Sequence, residues 1–150
     1  MAGFEMAGFE ISTEIDRPVE EVWTYLDNIE NAQMWQAGVL ESRLTSEGSM
    51  GIGATWRDVR KFLGKQIEGV YKCTEYEPNK RFAFKSSTGP IPVEGVSTFE
   101  AVGGGTRFNF AFEARPGGFF KFAEPIAIRM AKRQFEADFS NLKDLLESQA

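Results

Sequence analysis

Residues Val93–Arg115 read VEGVSTFEAVGGGTRFNFAFEAR, and the rest of the chain is best understood around this stretch. From Thr106 onward apolar and polar residues alternate. Phe108, Phe110 and Phe112 fall on one face, and Arg107, Asn109 and Glu113 on the other. A period of two is the signature of a β-strand with one dry and one wet face. Gly103-Gly104-Gly105, a loop of permissive residues, folds this strand back on Val93–Val102 as a hairpin. Three phenylalanines on one strand face need a cover. Downstream, Ile128, Ala131, Phe135, Phe139, Leu142 and Leu146 step by threes and fours along a helix expected from Pro125 to about Ser148. Lys132, Arg133, Glu136 and Lys143 lie mostly off that stripe. This long helix is the element able to cover the aromatic face.

Upstream of the hairpin the pattern repeats. Phe9 to Ile15 alternates as a half-buried strand. Asp16-Arg17-Pro18 then opens a helix, with Asp16 as cap and Pro18 in the first turn. Val19, Val22, Trp23 and Leu26 form its apolar face, and Glu20 and Glu21 suit its N-terminal dipole. A second short helix is expected over about Ile29–Met34. Four further strands follow: Val39–Ser46, Ala54–Leu63, Gln66–Tyr76 and Arg81–Ser87, separated by glycine and proline breaks. The order implies an α+β fold: a seven-stranded antiparallel sheet, two short helices after the first strand, and one long C-terminal helix. A twisted sheet wrapped around one helix does not close evenly along its length, so a cavity with a polar rim is expected between them.

Composition narrows the chemistry. The chain has 150 residues, no histidine and one cysteine, Cys73. Histidine-dependent triads, dyads, zinc sites and proximal haem ligation are therefore excluded, as is an internal disulfide. Any acid–base work falls to Asp, Glu, Tyr, Lys or water. The formal net charge of −5 disfavours a nucleic-acid partner held by phosphate neutralisation. Fourteen phenylalanines suit either a large core or an apolar pocket. Residues 1–6 carry a duplicated Met-Ala-Gly-Phe-Glu start and are set apart from the single domain expected over 7–150. With no apolar run near the ~20 residues of a membrane span, and no targeting segment in view, a cytoplasmic location is expected.

Four stretches resemble a known family. They are Ile15-Asp16-Arg17-Pro18-Val19-Glu20-Glu21-Val22-Trp23; Leu26-Asp27-Asn28 followed by Trp35; Cys73-Thr74-Glu75-Tyr76-Glu77-Pro78 with Arg81-Phe82; and Gly103-Gly104-Gly105-Thr106-Arg107 with Leu142-Lys143-Asp144-Leu145-Leu146-Glu147. In this order they resemble the START-like, or Bet v 1-like, superfamily of polyketide cyclases/dehydrases and lipid-transport proteins. The resemblance implies the helix-grip fold, with a hydrophobic small molecule held between sheet and helix. Members include cyclases, lipid carriers and receptors, so the fold alone does not select among them.

The strand Ala54–Leu63 concentrates the candidate chemistry. One phase turns Trp56, Asp58, Arg60 and Phe62 inward; the other turns Thr55, Arg57, Val59 and Lys61 inward. The first is preferred because it buries Trp56 and Phe62. Asp58 then pairs with Arg60 or serves as a general base; an inward cation is paired, rim-exposed or meant for a ligand, and an edge strand with solvated charges is the alternative. Tyr71, Phe82, Phe84, Phe99, Phe108, Phe110, Phe122, Ile126, Met130 and Phe135 are the expected wall, with Trp56 beside them and Asp58, Arg60 and Ser97 as polar anchors. Phe119, Phe120, Phe122 and Ile126 read as a core cap, a gate over the pocket, or a point of transient membrane contact.

Other features read blandly. Gly51-Ile52-Gly53-Ala54-Thr55-Trp56 lacks the third glycine of a dinucleotide fingerprint and leads into a strand, so it is a turn. Ser49 lacks a nucleophile-elbow frame. Cys73 reads as a buried hydrophobe, Glu75 and Glu77 as solvated, and Trp23 and Trp35 as core. No metal site and no cofactor are expected. The first functional expectation is binding of a lipid, polyketide or aromatic metabolite. The alternatives are a polyketide cyclase or dehydratase using Asp58, a tyrosine and Arg60, and a protein–protein module of the same fold. The expected assembly is a monomer or homodimer.

Overall fold

The chain closes its sheet by bringing its first strand against its last. In the computed structural model, which describes residues 7–88, 92–114 and 124–149, β1 (Ala7–Ile15) pairs antiparallel with β7 (Gly105–Ala114), Ile11 opposite Phe110 and Thr13 opposite Phe108. Between them lie α1 (Val19–Asp27), a 3-10 turn (Ile29–Asn31), α2 (Ala32–Trp35), β2 (Val39–Leu44), β3 (Thr55–Phe62), β4 (Lys65–Glu77), β5 (Arg81–Thr88) and β6 (Val93–Val102). The long helix α3 spans Glu124–Glu147. The seven strands form one antiparallel sheet in the order β1-β7-β6-β5-β4-β3-β2. This is the helix-grip arrangement.

The alternation read from the sequence is the cause of the layering. Phe108 and Phe110 are buried on the inner face, where Phe108 meets Phe139 at 5.1 Å and Phe110 meets Phe135 at 5.4 Å between ring centroids. On the outer face Arg107 pairs with Glu14 and Glu100. Register shifts between Val39 and Glu41, Val70 and Tyr71, and Cys73 and Glu75 interrupt the ladders. Such irregularities bend a strand and increase its twist, which curls the sheet towards α3. Gly95 makes the inner face fit: a Cβ there would lie 2.4 Å from the Phe84 ring, so the ring rests directly on the β6 backbone.

The start of the first crossover differs from expectation. Asp16 does not cap α1; Pro18 occupies that position and no side chain caps the helix. Asp16 instead gives its backbone N–H to Glu147 Oε2 at 2.7 Å. The Arg17 guanidinium donates to the carbonyl oxygens of Glu147, at 2.9 Å, and Gln149. Lys143 Nζ donates to Glu14 O and to Glu147 Oε2, each at 2.7 Å. The Glu147 carbonyl and the negative dipole at the end of α3 are thus met by Arg17 from the β1–α1 corner. The second short helix is a 3-10 turn continued by one α-turn, opened by the Asn28 side chain accepting from Glu30 N. Among the described residues, no helix is long and apolar enough to cross a membrane.

Candidate functional site

Between the inner face of the sheet and α3 lies a cavity of about 240 Å³. Phe108 and Phe110 pack on Phe135 and Phe139, yet the contact does not fill the space. The wall is largely aromatic, because inward positions of five strands, β3 to β7, and one helix stripe carry rings. Trp56, Tyr71, Phe82 and Phe84 form one cluster, with Trp56 at 5.8 Å from both phenylalanines and 6.1 Å from Tyr71. Trp23 stands edge-on to Phe99 at 5.1 Å, and Trp35 lies 5.6 Å from Phe139. Trp23 and Trp35, read from the sequence as core, belong to the core and border the cavity as well.

Strand β3 turns Trp56, Asp58, Arg60 and Phe62 to the cavity. Asp58 is 4% exposed, and Arg60 grips it with both ends of its fork, Nε–Oδ1 at 2.7 Å and Nη2–Oδ2 at 2.8 Å. The guanidinium also lies over the Phe135 ring at 5.8 Å. Burial alone would lower the Arg60 pKa; the hydrogen bonds and charge of Asp58 outweigh that and raise it. The side chain keeps 27% of its area accessible and lines the cavity. Burial raises the Tyr71 phenol, reinforced by the Asp58 charge and opposed by that of Arg60.

Asp138 completes this polar end, and sequence patterning does not single it out. It projects from α3, is 1% exposed, and accepts at Oδ1 from Ala37 N at 3.1 Å and Gln134 Nε2 at 3.0 Å. No hydrogen bond is made at its Oδ2 among the described residues, and the buried Gln36 Oε1, on another cavity-lining residue, is likewise without a partner. Burial raises its pKa against those two hydrogen bonds and the Arg60 charge. A signal existed: Asp138 sits inside the apolar stripe, three residues after Phe135 and beside Phe139, where a carboxylate costs free energy unless it is satisfied. A second polar contact borders the cavity at Asp27, whose Oδ1 accepts from Tyr76 Oη at 2.8 Å. Burial, then that hydrogen bond and the Asp27 charge, push the Tyr76 phenol to about 12.

The structure brings Trp56, Asp58, Arg60, Tyr71, Phe82, Phe84, Ser97, Phe99, Phe108, Phe110 and Phe135 to one cavity. Two expected wall residues stand elsewhere. Ile126 is 60% and Met130 42% exposed, on the outer side of α3, because both lie off the stripe that runs through Ile128, Ala131 and Phe135. Phe119, Phe120 and Phe122 lie outside the described residues. Cys73 is buried at 1% exposure, donates to Glu75 O, and burial pushes its thiol to about 11, which keeps it unreactive. Glu75 is exposed and paired with Arg81 at 2.6 Å. Among the described residues no group of three acidic or cysteine side chains is placed to hold a metal ion.

Comparison with solved structures returns the same architecture over nearly the whole chain. The protein TTHA0849 from Thermus thermophilus superposes with a TM-score of 0.83 at 19% identity, covering 95% of this chain and 100% of that one. A START superfamily protein from Mycobacterium smegmatis gives 0.78 at 12% identity, with 95% and 98% covered. The Zhui aromatase/cyclase from Streptomyces sp. R1128 gives 0.77 at 15% identity, with 95% and 94% covered. At such identities the likeness is one of fold. Comparison with curated protein sequences returns no match. Residues 6–147, from the first strand to the last turn of α3, match the family described as polyketide cyclase / dehydrase and lipid transport, and the chain belongs to that family.

Proposed function

We propose that the protein binds a neutral, mainly apolar small molecule in the cavity between sheet and α3. The observation that supports this best is an aromatic-walled space of about 240 Å³ whose buried arginine, Arg60, is already matched by Asp58. A protein cavity of about 150 Å³ holds benzene, so this one suits a body of two or three fused rings or a folded acyl chain. Arg60 is already matched by Asp58, and burial favours the neutral forms of Tyr71 and Asp138. A hydroxyl or keto group suits that end; a second carboxylate would compete with Asp58 for the same fork of donors. The test is to purify the protein natively from cell extract and identify what it retains by mass spectrometry. A neutral fused-ring or acyl compound bearing hydroxyl or keto oxygen is expected. Retention of a carboxylate or phosphorylated metabolite instead contradicts the reading.

Asp138 supports a second reading, acid–base catalysis of a cyclisation or dehydration. Both oxygens of Asp58 are engaged by Arg60. Asp138, with its raised pKa and unpartnered Oδ2, is the candidate proton donor, and Arg60 would stabilise a developing enolate. Turnover of a neutral polyketide mimic that is lost in Asp138→Asn, with binding retained, would favour this reading over binding alone.

A further inference from the structure

The chain is acidic overall, with 17 basic and 22 acidic residues, but its charge is unevenly placed. Residues 59–67 and 126–135 hold Arg60, Lys61, Lys65, Arg129, Lys132 and Arg133 and contain no Asp or Glu. Both segments border the cavity, through Lys61, Phe62 and Ile67 on one side and Ala127, Ile128 and Ala131 on the other. Apart from Arg60, all of these cations are exposed. On the outer sheet face Arg43, Arg57, Arg81 and Arg107 each hold a glutamate. Among the described residues no carboxylate pairs with Lys61, Arg129, Lys132 or Arg133. Glu68, the nearest acid along the hairpin, is occupied by Arg57 at 2.8 Å.

Apolar side chains stand among these cations. Ile126 is 60% and Met130 42% exposed on α3, and Leu63 is 43% exposed at the tip of the β3–β4 hairpin. Leu63 has φ +53° and Gly64 φ +78°. A two-residue hairpin turn with both φ values positive favours Asn-Gly, and a bulky residue at its first position is strained. The hairpin therefore holds an exposed leucine where asparagine would be more stable. Strain of this kind persists where function requires it.

We propose that this rim, the tip of the β3–β4 hairpin with the outer face of the first half of α3, docks on an anionic lipid bilayer. Lys61, Arg129, Lys132 and Arg133 provide attraction to the headgroups, and Leu63, Ile126 and Met130 enter the interfacial layer. Interspersed apolar residues fit a lipid surface better than a nucleic acid, whose phosphate contacts call for cations and hydrogen-bond donors. The inference is independent of what fills the cavity, but it sets the cavity mouth against the membrane.

Flotation of the full chain with vesicles tests it. Binding is expected to vesicles of phosphatidylcholine mixed with phosphatidylglycerol, not to phosphatidylcholine alone, and should fall as salt is raised. Arg129→Gln with Arg133→Gln should weaken partitioning roughly 30-fold, two surface charges being removed. Arg107→Gln, on the opposite face, should leave it unchanged. Leu63→Asn should raise the unfolding midpoint while weakening vesicle binding, a divergence that a purely structural role would not produce. Equal binding to both vesicle types, no binding to anionic vesicles at low salt, or a folded arginine double variant that binds like the parent would overturn the proposal. Tighter binding to a DNA duplex than to anionic vesicles would overturn it too.

Discussion

Arg60 and Asp58 show what one residue can cost. The arginine, taken alone, looks replaceable by leucine in an apolar wall, but Asp58 is 4% exposed and Arg60 is its side-chain partner at both oxygens. Removing either partner strands a buried charge, at a cost of about 3–5 kcal/mol, whereas replacing both by apolar residues is often neutral or stabilising. Arg60→Leu and Asp58→Leu should each lower stability by that amount in urea titrations, and the double variant should recover most of it; additive losses would contradict the pairing. Asp138 makes the residue-scale prediction about pH. Its folded pKa is raised from 3.8, so the folded state holds this proton more tightly than the unfolded chain. Its contribution is full below pH 3.8 and is lost as pH rises through the elevated folded value. Asp138→Asn keeps an acceptor for Ala37 N, so its stability relative to the parent should improve across that window and level off above it. Melting curves taken from pH 3 upward would check this. The inward phase of β3 could be chosen from Trp56 and Phe62, because burying aromatic area outweighs exposing it. Asp138 escapes a reading by periodicity, because an apolar stripe averages over a single polar intruder.

At the scale of elements, alternation and helical stepping identified all seven strands and α3, because each buries only one face. The ends were less legible. Pro18 rather than Asp16 sits at the start of α1, because the Asp16 backbone turns toward Glu147, 131 residues away, and no local pattern encodes that partner. The register shifts in β2 and β4 depend on neighbouring strands in the same way. Ile126 and Met130, expected in the wall, stand outside it, because helical phase sets them off the buried stripe. The clamp at the far end of α3 carries the element-scale prediction. Arg17 meets two terminal carbonyls, so Arg17→Ala should cost about 1 kcal/mol, in line with helix-end cations and single hydrogen bonds. Hydrogen exchange should accelerate in the last turn of α3 while β6 and β7 remain protected. Unchanged protection throughout would show that packing of Leu142 and Leu146 alone holds the end.

Across the whole molecule, one twisted sheet and one helix enclose an aromatic space without filling it, and the arginine that faces it, Arg60, is matched by Asp58. That combination is the central claim, and the chain carries its own reporters: all three tryptophans, Trp23, Trp35 and Trp56, border the cavity. A neutral two-ring probe, 2-naphthol, should quench their emission saturably. Ala131→Phe, which places a ring into the cavity from α3, should abolish the saturable phase while leaving the fold intact by circular dichroism. The most direct measurement is therefore the tryptophan emission of parent and Ala131→Phe protein titrated with 2-naphthol. The account predicts a saturating curve for the parent and a linear, collisional one for the variant; identical curves from the two proteins would contradict it.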